Sequence, residues 1–240
     1  MLNKIKSLIR ENRNVNLEIL AHTKELEWAH IYHDSIRGKK PIEELGLNIG
    51  RWAGNYSFFY VLNRILSDYK PSSILEMGLG ESTKFISTYL DNYLPNSSHV
   101  VIEQSQEWSE AFNSRFKLAK NTKIIHCPLE TKLINGFEVN SYKGFEEKIN
   151  QNFDLYVVDG PFGSERYSRY DILSLVKNFE KNHNFIIIID DTNRQGELDT
   201  LNDIEEELNK KNISNHLGHY RGNKRVSLIC SDKYRFAISL

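Results

Sequence analysis

An acid and two glycines follow one another closely in the first half of the chain. Glu76, Gly78 and Gly80 come directly after a short apolar run. Ser82 or Thr83 can cap the helix that the next residues predict. Because glycine lets the backbone turn sharply and lets a ligand lie against it, the segment is either a ligand-binding loop or a glycine-rich turn without a ligand.

A second acid, Glu103, ends the next apolar run. In nucleotide-binding α/β folds, an acid at the end of the neighbouring strand holds the ribose hydroxyls of the nucleotide. Glu103 is in the position for this role, and the nucleotide could be NAD or S-adenosylmethionine (SAM). The NAD fingerprint has a small third residue where this chain has Thr83, and Glu76 would repel a pyrophosphate. SAM is therefore favoured, with an NAD(P)-dependent oxidoreductase or a non-catalytic nucleotide-binding protein as alternatives.

Three aspartates follow two later apolar runs. Asp159 comes after residues 153–158, and Asp190 and Asp191 come after residues 185–189. The carboxyl ends of neighbouring parallel strands lie side by side, so these carboxylates should converge. A hard divalent cation such as Mg²⁺ would relieve their repulsion. In the alternative interpretation, the first aspartate only contacts a cofactor or caps a turn, and the pair ends a strand.

Basic and aromatic residues follow the aspartates. Arg166, Tyr167 and Arg169 lie on the first of these loops, and Arg194 lies on the second. Guanidinium groups bind carboxylate or phosphate, and tyrosine rings stack on sugar faces. The loops therefore predict an anionic sugar as the acceptor, with ion pairs to neighbouring acids at a helix start as the alternative.

Short apolar runs alternate with amphipathic stretches after residue 71. The predicted strands are 73–77, 99–103, 123–127, 153–158 and 185–189, and the predicted helices between them are 82–90, 107–119, 170–181 and 197–211. This alternation predicts an α/β fold with a mainly parallel sheet. Residues 217–220 and 226–230 predict an antiparallel strand pair, and residues 130–152 carry no predicted element.

The pattern of apolar residues in the first 50 residues differs from that in the rest of the chain. A loose helical spacing over 16–36 predicts two N-terminal helices, residues 37–41 predict a hinge, and a third helix is expected over 55–69. We predict a small helical cap over 1–50 and a second domain over 51–240. Trp52, Asn55 and Tyr56, before the third helix, are candidates for cofactor or acceptor contacts, with ordinary packing as the alternative.

The acid-x-Gly-x-Gly motif of Glu76, Gly78 and Gly80, together with the element order over residues 71–230, resembles the class I SAM-dependent methyltransferases. This resemblance implies a Rossmann-like three-layer sandwich with a seven-stranded sheet and an antiparallel C-terminal strand. It also implies that residues 51–240 form the methyltransferase domain. The residues it assigns to SAM are Glu76, Gly78, Gly80, Ser82, Glu103 and Asp159.

The three aspartates also resemble those of metal-dependent O-methyltransferases that modify sugars and polysaccharide precursors. The resemblance implies that Asp159, Asp190 and Asp191 hold Mg²⁺ or another divalent cation, and that Asp159 and Asp190 take part in catalysis. The implied reaction is methyl transfer to a hydroxyl of a sugar or another small polar acceptor. The acceptor contacts it implies are Arg166, Tyr167, Arg169 and Arg194.

Composition narrows the partners and the location. The 240 residues are 40% hydrophobic and 26% charged, which is typical of a globular protein, and their formal charge of −1 disfavours nucleic acid as a partner. No apolar run approaches the roughly 20 residues that span a bilayer, and the start lacks a signal-peptide core, so the expected location is the cytoplasm. The expected partner is a small-molecule or glycan acceptor, and a homo-oligomer formed through the N-terminal helices stays open.

Overall fold

Helices and strands alternate along the computed structural model, which describes residues 2–50 and 52–240. Its helices are α1 Leu2–Ile36, α2 Lys40–Glu43, α3 Tyr56–Asp68, α4 Glu81–Tyr93, α5 Gln106–Arg115, α6 Phe145–Lys148, α7 Asp171–Val176, α8 Gln195–Lys210 and a C-terminal 3-10 helix Asp232–Ser239. Its strands are β1 Ser73–Met77, β2 Ser98–Glu103, β3 Thr122–His126, β4 Leu129–Ile134, β5 Phe137–Tyr142, β6 Leu155–Val158, β7 Ile186–Ile189, β8 Asn215–Arg221 and β9 Arg225–Ser231.

Seven strands form one sheet in the order β3-β2-β1-β6-β7-β9-β8. Neighbours are parallel from β3 to β7, and β9 runs antiparallel to both β7 and β8. The predicted Rossmann-like sheet with an antiparallel C-terminal strand is therefore confirmed. The strand order reverses between β1 and β6, and ligands of open α/β sheets bind in the crevice at that point.

Two separate apolar clusters cover the two faces of the sheet. On one face, Ile74 of β1 belongs to a cluster with Phe59 of α3 and Phe85 of α4. On the other face, Leu75 belongs to a cluster with Ile172 of α7. Each of these side chains is fully buried, which contributes roughly 1.5–3 kcal/mol per residue. The alternation along β1 gives the three predicted layers.

α1 is one continuous helix, so the prediction of two N-terminal helices over residues 16–36 is wrong. No glycine or proline interrupts its 35 residues, and it ends just before Gly38, whose φ is +83°. Tyr32 and Ile36 are buried against α3. Over residues 4–20, α1 leaves seven large apolar side chains exposed: Ile5, Leu8, Ile9, Val15, Leu17, Ile19 and Leu20. In the described residues, no helix combines the length and apolar character needed to cross a membrane.

Glu25 joins α1 to two other parts of the chain. Its Oε1 accepts a hydrogen bond from the backbone N–H of Tyr56, and its Oε2 accepts from Asn55 Nδ2 and from the backbone N–H of Asn223, each at 2.8 Å. Because Asn223 lies in the β8–β9 turn, this carboxylate holds α1 beside the start of α3 and the last hairpin. The domain boundary expected at residue 50 stays a prediction.

Residues 129–142 form a separate hairpin of β4 and β5, where no element was predicted. Its two-residue turn is Asn135-Gly136, with φ angles of +49° and +86°. Asn-Gly is typical of this turn because both positions need the left-handed region. The expectation of an irregular segment over 130–152 is therefore wrong, and the hairpin carries Tyr142 to the sheet.

Candidate functional site

Two glycine turns touch each other at the carboxyl ends of β1 and β6. Gly78 follows β1 with a φ of +103°. A Cβ on Gly160, after β6, would lie 2.9 Å from Gly78 Cα and 2.5 Å from the hydroxyl oxygen of Tyr142. Neither glycine can carry a side chain without displacing its neighbours. The two loops therefore form a close-packed floor beneath the crevice between β1 and β6.

The second loop glycine leaves open space above its backbone. A Cβ on Gly80 would meet no atom within 4 Å. The Gly80 N–H donates to Thr83 Oγ1 at 3.0 Å, which starts α4, and Ser82 is buried beside it. A ligand can therefore lie directly against the loop, at the positive end of the α4 dipole.

Glu103 ends β2 and fastens the glycine loop. Its Oε2 accepts a hydrogen bond from the backbone N–H of Leu79 at 3.1 Å, and its Oε1 accepts from that of Ser105 at 2.7 Å. Burial raises the pKa of Glu103, and these backbone donors oppose the rise. Because each carboxylate oxygen has two lone pairs, Glu103 keeps acceptor capacity toward the crevice.

Glu76 is fully buried between β1 and β2, and its Oε2 lies 3.0 Å from His99 Nε2. Within the described part of the chain, neither Glu76 oxygen has an aligned hydrogen bond. A role for Glu76 in binding the methionine part of SAM stays a prediction.

The three predicted aspartates lie together at the carboxyl ends of β6 and β7. Asp159, Asp190 and Asp191 each offer a carboxylate oxygen within 4.8 Å of the others. Asp190 and Asp191 are buried, and Asp191 has a φ of +59°. Parallel pairing of β6 with β7 explains the convergence, because it aligns Val158 with Ile189 immediately before these residues.

The buried guanidinium of Arg169 lies inside this acidic cluster. Its Nη2 is 3.0 Å from Asp159 Oδ1 and 3.1 Å from Asp191 Oδ2. Its Nη1 donates to the backbone carbonyl of Asp190 at 2.9 Å, and its Nε lies 3.7 Å from Glu197 Oε1. Arg169 therefore neutralises protein carboxylates, and its contact with an acceptor stays a prediction.

Lys224 was missed by the sequence analysis. Its Nζ lies 3.4 Å from Asp191 Oδ1 and 3.6 Å from Asp190 Oδ2, and it donates to the carbonyl of Ala53 at 3.0 Å. The sequence held a signal for it, because Lys224 follows the turn of the predicted antiparallel pair. A last strand antiparallel to β7 must begin at the carboxyl end of β7. Arg194 adds a further contact, with its Nη1 3.2 Å from Asp191 Oδ2.

Asp159, Asp190 and Glu197 have pKa values above those of free carboxyl groups. Burial raises the pKa of Asp159 to about 7; Asp190 and Asp191 add to the rise, and Arg169 opposes it. Burial also raises the pKa values of Asp190 and Glu197. No donor in residues 2–50 or 52–240 makes an aligned hydrogen bond to either side-chain oxygen of Asp190 or to Asp191 Oδ1. These buried oxygens retain capacity for a cation.

Arg166 and Tyr167 pack against the protein. Arg166 forms a two-pronged ion pair with Asp199 of α8, and its guanidinium carbon lies 5.0 Å from the ring centre of Phe137. The Tyr167 ring packs against Phe137 and Tyr170. The alternative of ion pairing thus describes Arg166, although its partner lies on α8. Contact of either residue with an acceptor stays a prediction.

The segment before α3 divides into packed and exposed residues. Asn55 caps α3, because its Oδ1 accepts from the backbone N–H of Phe58 at 3.2 Å, and Tyr56 packs beside the buried core. Trp52, in contrast, is 96% exposed. Its neighbour Ala53 accepts the hydrogen bond from Lys224. Ordinary packing therefore explains Asn55 and Tyr56, whereas Trp52 is exposed to solvent.

Comparison with known proteins gives likeness in fold. No family model and no curated protein matches the sequence. An O-methyltransferase from Bacillus cereus in complex with SAH is similar in structure, with a TM-score of 0.52, 11% identity and coverage of 85% of this chain and 91% of that one. The O-methyltransferase TomG from Streptomyces achromogenes, in complex with SAM, gives a TM-score of 0.51, 12% identity and coverage of 84% and 89%. At this identity, the likeness establishes the fold.

Proposed function

We propose that the chain is a SAM-dependent methyltransferase that methylates a hydroxyl oxygen of a small acceptor. The observation that carries the proposal is the sheet edge itself. The open face at Gly80, the strand-tip carboxylate of Glu103 and the aspartate cluster all lie at the carboxyl ends of adjacent parallel strands. The two similar structures, O-methyltransferases with SAH or SAM bound, support the same reading.

In this proposal, the chain binds SAM through its own backbone and acids. Gly80 leaves room for SAM against the loop. The lone pairs of Glu103 that no backbone N–H occupies accept hydrogen bonds from the ribose hydroxyls. The sulfonium and ammonium groups of SAM are cationic. A sheet edge that carries Asp159 and Glu103 complements them electrostatically.

The acceptor hydroxyl must lose a proton when its oxygen takes the methyl group. Asp159 suits this task, because a carboxylate with a pKa of about 7 can accept a proton near neutral pH. Asp190 lies beside Asp159 and is the second aspartate that we propose to take part in catalysis. The acceptor that we propose is a sugar or another small polar molecule, supported by the exposed Trp52 and the half-exposed Arg194 beside the cluster.

A divalent cation fits the cluster. Asp159, Asp190 and Asp191 would hold it, and the buried oxygens without aligned donors are the ligands that Mg²⁺ prefers. Such an ion would lower the pKa of an acceptor hydroxyl. Arg169 and Lys224 already supply positive charge there, so we expect the cation to bind more weakly than in a site without them.

We expect isothermal titration calorimetry to detect binding of S-adenosylhomocysteine (SAH), the demethylated product of SAM. Glu103→Gln should weaken this binding about tenfold or more, because the amide cannot both hold the loop and accept from the ribose. Glu107→Gln is the control, since Glu107 is exposed on α5. An absence of heat with SAH, or binding of NADH in its place, would contradict the proposal.

Magnesium binding can be measured on the same protein by titrating MgCl₂ in the calorimeter. We expect Asp190→Asn to reduce Mg²⁺ affinity about tenfold or more, because a charged ligand is replaced by a neutral one. SAH affinity should change less than twofold, which checks that the variant is folded. Asp91→Asn, on the exposed side of α4, is the control. Equal Mg²⁺ binding by both variants would exclude Asp190 as a ligand.

A further inference from the structure

A groove runs between α1 and the β8–β9 hairpin. Its volume is about 220 Å³; one wall is apolar and carries Leu17 and Leu20 of α1, and the other is formed by the hairpin turn. Four cationic side chains line it: Lys24, Arg221, Lys224 and Arg225. This concentration of positive charge contrasts with the acidic cluster next to it.

Three of these cations lack acidic partners. In residues 2–50 and 52–240, no carboxylate lies within 4.0 Å of the charged nitrogens of Lys24, Arg221 or Arg225. The adjacent acid on α1, Glu25, is already occupied by three hydrogen-bond donors from α3 and the hairpin turn. The charges of Lys24, Arg221 and Arg225 are therefore not held in ion pairs within these ranges, and they outnumber the single negative charge of Glu25 beside the groove.

Two of the cations face each other across the hairpin. Arg221 of β8 is directly opposite Arg225 of β9, an arrangement in which like charges destabilise a strand pair. The Arg225 guanidinium is held in place, because its Nε donates to Thr192 Oγ1 at 3.2 Å and its Nη2 donates to the Thr192 carbonyl. Burial lowers the pKa of Arg225, and the positive charge of Arg221 lowers the pKa of Arg225 further. The pKa of His219 is also lowered, by burial and by the charges of both arginines.

We propose that this groove binds the phosphoryl group of an acceptor that is a phosphate or diphosphate ester. This inference rests on the proposed function and extends it to a substrate class. One cation would neutralise a carboxylate, whereas three unpaired cations match a group with two or more negative charges. Arginine forks suit the geometry of phosphate oxygens.

Lys224 connects the groove to the reacting centre. It lines the groove, and its Nζ is 3.4 Å from Asp191 Oδ1. An ester anchored by its phosphoryl group can therefore present a hydroxyl of its organic part to the aspartates. The ester would be a nucleotide diphosphate or a lipid diphosphate. The apolar part of a lipid diphosphate would pack against the apolar wall at Leu17 and Leu20.

The test is calorimetric titration of sodium pyrophosphate into the SAH-loaded full chain, in metal-free buffer. We expect Arg221→Gln to reduce the affinity for pyrophosphate about tenfold, since it removes charge-assisted hydrogen bonds. The Arg221 side chain is exposed and only its backbone carbonyl accepts from Trp28 Nε1, so the fold should persist. Lys24→Gln is a second variant. Arg115→Gln on α5, at the opposite edge of the sheet, is the control with the same change in charge.

The outcomes separate this inference from the proposed function. Equal pyrophosphate affinity in Arg221→Gln and Arg115→Gln, or no pyrophosphate binding while SAH binds, overturns the groove as a phosphoryl site and leaves the methyltransferase proposal standing. Failure of SAH to bind overturns the proposed function instead. Titrations with uridine diphosphate and geranyl diphosphate then distinguish a nucleotide ester from a lipid ester. If uridine diphosphate binds more tightly than pyrophosphate, the acceptor is a nucleotide ester. If geranyl diphosphate binds more tightly than pyrophosphate, the acceptor is a lipid ester.

Discussion

Gly160→Ala should lower the free energy of unfolding by about 1–3 kcal/mol and abolish SAH binding. The new Cβ would lie 2.5 Å from the Tyr142 hydroxyl oxygen, 2.9 Å from Gly78 Cα and 3.0 Å from Gly78 N. Tyr142 is fully buried and Gly78 is fixed at the end of β1, so neither can move without disturbing the glycine loop. The substitution would therefore displace the Gly78–Gly80 loop, against which we propose that SAM binds, and would also disturb the packing around Tyr142.

Urea denaturation and calorimetry with SAH measure the two effects of this substitution. Gly46→Ala is the matched control, because a Cβ at Gly46 would meet no atom within 4 Å and its φ is not in the left-handed region. We expect Gly46→Ala to change stability by less than about 0.5 kcal/mol. If Gly160→Ala unfolded at the same urea concentration as this control and bound SAH equally well, the close contact between the two loops would be refuted.

The sheet could be predicted from the sequence because its central strands are buried on both faces. Such strands are nearly continuous apolar runs, as in Ile186–Ile189, which consists of four isoleucines. The acids that follow these runs must meet, since parallel neighbours end at the same edge of the sheet. The approach of Asp159 to Asp190 and Asp191 therefore follows from topology alone.

The partners of these acids could not be predicted in the same way. Arg169 reaches Asp159, Asp191 and Glu197 because the loop before α7 adopts left-handed backbone conformations at Tyr167 and Arg169, with φ angles of +51° and +60°. Tyrosine and arginine, unlike glycine and asparagine, carry no clear sequence signal for that region. Two arginines on a polar loop are equally consistent with substrate contacts and with internal ion pairs.

Two of the differences between the predicted and the observed secondary structure have different origins. The hairpin of β4 and β5 was missed although Asn135-Gly136 is a strong turn signal, because its strands pair only with each other and mix polar with apolar residues, so neither is a continuous apolar run. The continuity of α1 was missed because only Tyr32 and Ile36 are buried among residues 16–36, so the apolar spacing there is loose. Periodicity reports burial, and an unburied helix gives a weak pattern.

The acidic cluster and its cations form a network of ion pairs with four carboxylates and three cations. Asp159, Asp190, Asp191 and Glu197 meet Arg169, Lys224 and Arg194 within 4.0 Å. Arg169 is the most deeply buried of the three cations, and it contacts carboxylates from the loop after β6, the loop after β7 and the first turn of α8. Because an unpaired buried charge is far more costly than a paired one, the stability of this sheet edge should depend on Arg169 more than on any surface ion pair.

Arg169→Met should therefore lower the free energy of unfolding by about 3–5 kcal/mol at pH 8, in metal-free buffer. The deficit should shrink toward pH 5. Arg169 opposes the rise in the pKa of Asp159, so its loss raises that pKa above about 7. An acid whose folded-state pKa exceeds its unfolded value binds protons more tightly when folded, so stability falls as pH rises between the two values.

Urea denaturation at pH 5, 6, 7 and 8 tests both the size and the sign of this effect. Arg64→Met is the control, because Arg64 pairs with Asp68 on the surface of α3, where each side chain is 38% exposed. Such a pair contributes at most about 1 kcal/mol. A deficit in Arg169→Met that equals the control, or that grows toward acid pH, would mean that the buried carboxylates do not depend on the guanidinium for their ionisation.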